Sequence, residues 1–192
     1  MKNIEIANQV YCYLMDKFDY AKDLTAGELR NFSGLIVEDM IDLIFEECAK
    51  NHENVDGKIY IGNSVPVVIT DPQGYSIKES VDKHIFINGE LVCAIECKTY
   101  LDKCYMQRAD SDFNLMTSYG KTFDTVIVSL ENGIADNSYN FFLNRGNIDR
   151  VFYLATGKRN SARDKRIYNN PDRINHSLIL DLVDYIDSLF ER

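Results

Sequence analysis

Lys83-His84-Ile85-Phe86-Ile87 leads into Asn88-Gly89, and Glu90-Leu91-Val92-Cys93-Ala94-Ile95-Glu96-Cys97-Lys98 leads out. Asn-Gly between two apolar runs is a strong short-range hairpin signal, because both residues tolerate the positive φ of a tight turn. The outgoing arm is apolar on both faces as far as Ile95, which places it in the middle of a sheet. It then ends on Glu96 and Lys98, ionisable residues separated by one. At strand period both point to the same face, and a charge there needs a partner or a metal ion.

Working outward, residues 4–18 carry apolar side chains at helical spacing. A second helix runs through Leu35, Ile36, Met40, Ile41, Leu43, Ile44, Phe45 and Cys48, with Asn31 or Ser33 as its N-cap. Residues 51–57 read as a turn, and 65–70 as a strand ahead of the turn Asp71-Pro72-Gln73-Gly74. After the hairpin come a helix over 102–119, short buried strands over 125–130 and 150–155, and an amphipathic helix over 178–190. That order predicts an α/β (α+β) architecture, a central mixed β-sheet flanked by helices.

The 192 residues, 45% of them hydrophobic, suit one domain with a real core. Three Pro and ten Gly exclude collagen-like and low-complexity chains. No apolar run approaches the roughly 20 residues of a membrane span, and the first fifteen residues, with Lys2 and Glu5 among them, lack a signal-peptide core. Five cysteines, an odd number, fit a cytoplasmic protein with reduced thiols. A formal net charge of −9 argues against a free-standing DNA binder. Such a chain either avoids nucleic acid or gathers its basic residues locally and borrows affinity from a partner.

Asp82, just before the first hairpin arm, is a candidate partner for Glu96. Register decides whether they meet. A plain two-residue turn pairs 87 with 90 and sets Asp82 opposite Ile95, facing away from Glu96. A longer loop or a bulge restores a shared face, and Gly89 suits the αL position of a type I turn with a G1 bulge. Two carboxylates a few ångströms apart repel, and a divalent cation relieves the repulsion. Hard oxygen donors, with the Cys97 carbonyl as a third, suit Mg²⁺. Lys98 beside them can orient a water and stabilise negative charge. The triplet alone says little: chance gives about two acid-x-Lys matches in such a composition, and the chain has two, the other being Asp56-Gly57-Lys58 in a turn-like stretch. The apolar strand leading into Glu96 selects it.

Ser80-Val81-Asp82-Lys83-His84-Ile85, the Asn-Gly hairpin and Ala94-Ile95-Glu96-Cys97-Lys98-Thr99-Tyr100 resemble the core of the PD-(D/E)xK nucleases. More narrowly, they resemble the small catalytic subunits of heterodimeric type IIS restriction endonucleases, whose large subunit alone nicks one strand. The resemblance covers residues 33–113. It implies a restriction-endonuclease-like fold, Asp82 and Glu96 as metal ligands with the Cys97 carbonyl, Lys98 as catalytic lysine, and Mg²⁺ as cofactor with Mn²⁺ as a substitute. Glu38, on the preceding helix, matches the acidic residue many such nucleases place near the metal. Val81 stands where the name-giving proline would be. The resemblance further implies a single nuclease domain over 1–192, with an N-terminal helical segment (1–32), a catalytic core (33–130) and a C-terminal strand, basic loop and helix (131–192).

Plainer readings compete. Glu96 and Lys98 suit a strand-end ion pair, and Glu38, Asp39, Asp42 and Glu46 suit the wet face of a helix. His84 shares the parity of Asp82, but a lone strand histidine is more often structural. Cys93, Cys97 and Cys104 lack zinc-finger spacing and read as free thiols. Phe152 breaks the glycine spacing that would make Ala155-Thr156-Gly157-Lys158 a nucleotide loop. Lys158, Arg159, Arg163, Lys165 and Arg166, with only Asp164 against them, suit a solvated loop or contact with a DNA backbone. Arg108, on the helix after the motif, is a weaker candidate for the same contact.

The expected function is therefore that of a Mg²⁺-dependent subunit cutting one strand of double-stranded DNA, with a larger recognition and nicking subunit as partner and no nucleotide cofactor or membrane. A non-catalytic DNA-clamping subunit of the same fold and a structure-specific repair nuclease are the alternatives.

Overall fold

The structure, a computed structural model, describes residues 2–52, 55–61, 67–118, 122–159 and 166–192. Helix α1 (Lys2–Ala21) buries Ile6, Val10, Leu14, Phe18 and Ala21, one stripe at helical spacing. Helix α2 (Ala26–Ala49) begins earlier than its apolar run suggests. Its cap is Thr25, whose hydroxyl accepts from the Glu28 amide while the Glu28 carboxylate accepts from the Thr25 amide. This reciprocal box replaces Asn31 or Ser33, both of which lie inside the helix. Thr25-Ala26-Gly27-Glu28 carries the signal in plain view, but it precedes the dense apolar run that begins at Leu35, with only Leu29 and Phe32 apolar between them.

The remaining elements are strands β1 (Gly57–Ile61), β2 (Val67–Thr70), β3 (Ser76–Glu79), β4 (Lys83–Ile87) and β5 (Glu90–Leu101), helix α3 (Lys103–Thr117), strand β6 (Asp124–Asn132), helix α4 (Asp136–Leu143), strand β7 (Arg150–Tyr153) and helix α5 (His176–Leu189). Five strands form one sheet in the order β1-β4-β5-β6-β7. Its first three strands are antiparallel, and β5, β6 and β7 run parallel. Parallel neighbours need crossovers, which α3 and α4 supply. The fold is thus α+β with a mixed central sheet, and the arm read as buried on both faces, β5, is its middle strand. The strand expected over 65–70 forms over 67–70 and, among the described residues, pairs only with β3, in a separate two-stranded hairpin; residues 65–66 lie outside the described residues. Position 119 of the expected third helix lies outside them too.

Two apolar layers hold the sheet. On one face Ile85, Ile87, Cys93, Ile95, Val126, Val128 and Leu130 pack with α1, α2 and α5. On the other, Ala94 and Ile127 meet Met106, Ala109 and Phe113 of α3 and Phe142 of α4. Alternation along β5 and β6 therefore fixes which residues face which helices.

The decisive detail is the β4–β5 register. Asn88 and Gly89 both have positive φ, 51° and 84°, and Ile87 pairs with Glu90, so the turn is a plain two-residue one. Two pairs later the ladder skips: Phe86 faces Leu91 but Ile85 faces Cys93, leaving Val92 as a bulge. The shift that the longer loop or G1 bulge was expected to supply comes from Val92 instead. Beyond it Lys83 pairs with Ile95, so the next position outward sets Asp82 across from Glu96.

A polar anchor ties the far end of the chain to the sheet. Asp124, at the start of β6, accepts from the Tyr185 hydroxyl of α5 at 2.8 Å and from the Arg192 guanidinium at 2.6 Å. Burial pushes the Asp124 carboxyl up, but these two donors outweigh it and hold the group below its ordinary value. A carboxylate depressed in the folded state adds stability above its unfolded pKa and loses it as pH falls through the folded one. Asp124→Asn is expected to cost on the order of 1 kcal/mol at neutral pH, with the difference from the parent starting to shrink below about pH 4 and vanishing only once the folded carboxyl is itself protonated; urea melts across the acid range check this.

Candidate active site

The site is built where the two helix layers part, at the C-terminal ends of β5 and β6. The Lys98 ammonium is its centre. Nζ lies 2.5 Å from Glu96 Oε1 and 3.3 Å from Asp82 Oδ2, and donates to the Cys97 carbonyl at 3.0 Å. Asp82 Oδ2 also accepts from the Cys97 amide at 2.7 Å, which fixes its carboxylate against β5. Asp82 and Glu96 thus meet on one face, as the chemistry requires.

Electrostatics follow from that crowding. Burial raises the Glu96 carboxyl, Lys98 opposes it and Asp82 adds to it, leaving the group above its ordinary value. Burial lowers the Lys98 ammonium, but Glu96 and Asp82 more than reverse it. Lys98 therefore stays charged, with two carboxylates and a carbonyl turned toward one small positive group.

Glu38 joins the site from α2. It lines the same cleft of about 460 Å³ as Asp82 and Lys98, and burial, followed by the neighbouring Asp82 carboxylate, raises its pKa against the pull of Lys83. Its environment is not that of a wet helix face. Lys83, facing the opposite side of β4 from Asp82, is only 2% exposed and reaches Asp42 Oδ2 at 2.7 Å and Glu38 Oε2 at 4.0 Å. Sequence reading missed Lys83 as a link between β4 and α2. Its place just inside the motif on an otherwise apolar strand was the available signal.

Arg108, Arg159 and Arg166 line the cleft as well. Arg108 is exposed beside Asp112, and Arg166 donates to the Tyr168 hydroxyl at 2.7 Å. Lys158 is not among the lining residues and pairs with Asp136 at 2.5 Å. Arg163 and Lys165 lie outside the described residues. His84 is fully buried, with no hydrogen-bond partner for either ring nitrogen among the described residues and its pKa lowered by burial; it does not line the cleft. Glu131, Tyr100 and Tyr105 do line it and were not anticipated, Glu131 because it sits at the end of a strand read only as apolar.

The donor set fits a hard cation. The oxygens that converge on Lys98 Nζ belong to two carboxylates and one main-chain carbonyl, the small all-oxygen contribution that a protein makes to Mg²⁺, which retains several waters. Among the described residues no group of three or more His, Cys, Asp or Glu side chains is placed to hold a metal ion.

A mixed sheet thus brings an acidic pair, one member on the central strand and one just ahead of its neighbour, onto a single lysine. The chain is 37% identical over 57 residues to the type II restriction enzyme DdeI of Desulfomicrobium norvegicum, a match spanning 30% of this chain and 24% of that enzyme. Among solved structures, one titled as the native BbvCI A2B2 tetramer at low resolution aligns over 100% of this chain and 89% of its own, with a TM-score of 0.42 and 14% identity. No family model matches. No helix among the described residues is long and apolar enough to cross a membrane.

The thiols give a check on the packing beneath the site. Cys48, Cys93 and Cys97 are buried, and Cys12 and Cys104 are exposed. Burial pushes Cys48 and Cys93 up to about 12 and Cys97 well above its ordinary value, which suppresses the reactive thiolate. Iodoacetamide at neutral pH is expected to label Cys12 and Cys104 in the folded chain and the other three only after unfolding; mass spectrometry reads the sites directly.

Proposed function

We propose that the chain is a Mg²⁺-dependent endonuclease subunit that hydrolyses a phosphodiester bond in one strand of double-stranded DNA, with sequence recognition supplied by a larger partner subunit. The observation that carries this reading is the convergence of Asp82, buried Glu96 and the Cys97 carbonyl on the Lys98 ammonium, with Asp82, Cys97 and Lys98 lining an open cleft. Sequence similarity to a type II restriction enzyme supports it.

Asp82, Glu96 and the Cys97 carbonyl would hold the ion, and Mn²⁺ has the same oxygen preference. When bound, the ion polarises a phosphoryl oxygen and lowers the pKa of a water. The chain's own groups do the rest. The Lys98 ammonium has three donors and is positioned to orient a water and to stabilise charge developing on the phosphate. Glu38, with its raised pKa, is placed to accept a proton at the edge of the cleft. Arg108 and Arg166 offer guanidinium groups to the flanking backbone.

The acidic balance of the chain, −9 overall, sets the division of labour. Such a surface repels a polyanion outside the cleft, so a partner that binds DNA tightly must present the strand. Alone, the chain is expected to bind duplex weakly and cut little, and adding the recognition subunit should convert nicks into double-strand breaks on supercoiled plasmid. In that assay Asp82→Ala, Glu96→Ala and Lys98→Ala should each slow second-strand cleavage at least about a hundredfold. Cleavage that survives Asp82→Ala and Glu96→Ala would make the chain a non-catalytic clamp, and efficient cutting of flaps or ends by the chain alone would point to a repair nuclease.

A further inference from the structure

Glu131 is 1% exposed, at the end of β6. Its two carboxylate oxygens accept from different arginines: Oε1 from Arg173 Nη1 at 3.0 Å and Oε2 from Arg159 Nη1 at 3.3 Å. One carboxylate between two guanidiniums leaves a positive charge uncompensated, and a buried surplus charge is costly. The two arginines differ in what they still have to give. All three nitrogens of Arg173 are used, because Nε donates to the Thr156 carbonyl at 3.0 Å and Nη2 to the Gly157 carbonyl at 3.3 Å. Arg159, by contrast, lines the cleft, and its Nε is buried without a hydrogen-bond partner among the described residues.

Arg159 is nonetheless held firmly. Its amide donates to the Asn132 carbonyl at 2.8 Å, and its own carbonyl accepts from the Tyr100 hydroxyl at 3.4 Å. Its guanidinium stacks over the Tyr100 ring, 4.6 Å from the centroid, a contact that offsets part of the burial of charge. That ring in turn occupies the space above Gly133, where any Cβ would overlap it. Tyr100 lies beside Glu131 in the β5–β6 register, as Lys98 lies beside Ser129. Glycine, tyrosine and glutamate thus fix a guanidinium that lines the same cleft and whose buried Nε has no hydrogen-bond partner among the described residues. Two residues along a strand is about 7 Å, so Tyr100, with the guanidinium stacked on it, sits one strand repeat beyond Lys98.

We infer that Arg159 is a phosphate-binding residue, taking a DNA backbone phosphate one or two nucleotides from the scissile one, and that Glu131, Tyr100 and Gly133 are its positioning residues. The inference rests on the nuclease reading for its substrate. A planar fork held in place suits bidentate contact with a phosphate, and a lysine's point charge does not reproduce it. The arrangement also explains why a carboxylate is tolerated beside a phosphate site: it is fully spent on orienting the arginines.

The test uses the intact chain, without divalent ions, titrated with a short duplex oligonucleotide while the Arg Nε–H resonances are followed by NMR. The Arg159 signal, assigned by its absence in Arg159→Lys, should shift saturably with duplex. Failure of that signal to move, whether or not other resonances do, overturns the inference. In the complex with the recognition subunit, Arg159→Lys should raise KM about tenfold with kcat maintained, and Gly133→Ala, which displaces Tyr100, should do the same in the presence of an unchanged Arg159. An unchanged KM in Arg159→Lys refutes the assignment even if cleavage depends on Asp82. Conversely, an Arg159 shift in a chain that never cuts with Mg²⁺ preserves the phosphate site and overturns the nuclease reading.

Discussion

A single ammonium group holds this molecule's acidic cluster together. Lys98 sits among two carboxylates and a carbonyl that would otherwise repel one another or face an apolar interior unpaired. Everything nearby is arranged around that requirement. β5 runs through the middle of the sheet so that its end can be buried on both sides. β4 delivers Asp82 from the adjacent strand, and α2 brings Glu38 from the helix layer behind. The chain tolerates this concentration of charge because each group has a specific neighbour, and because the cleft opens the cluster to water and to ligands on one side.

Lys83 and Asp82 show how one strand serves two purposes. Successive residues point to opposite faces, so Asp82 goes to the cleft and Lys83 goes to α2, where it meets Asp42 and Glu38. Glu38 is thus fastened to the same strand that presents Asp82. The hydrogen bond from Lys83 to Asp42 ties the helix that carries Glu38 to the strand that follows Asp82.

Much of this was legible in the sequence, and the omissions have physical reasons. The Asn-Gly hairpin, the central strand and the charged end of β5 follow from alternation and turn chemistry that act over a few residues. The convergence of Asp82 and Glu96 was legible only as a condition on register, because a bulge has no strong local signature: Val92 looks like any other β-branched strand residue. The α2 cap was misplaced because the apolar stripe, not Thr25 and Glu28, drew the boundary. Short edge elements such as β1 and β3 were missed, since each is stabilised by a neighbour distant from it along the chain or by a tight turn. Glu131 and Tyr100 escaped notice for a related reason: their importance comes from parallel pairing across a helical crossover.

The bulge has one further consequence. Because Val92 rather than the turn sets the phase of the ladder near the site, the hairpin tip is uncoupled from the position of the acids. Gly89 faces open space, several residues and one irregularity away from Asp82. Extra length after Gly89 can loop outward while the pairs from Ile85 to Lys83 stay in step. Evolution, or a protein engineer grafting a peptide there, has a place to write new sequence without rewriting the chemistry.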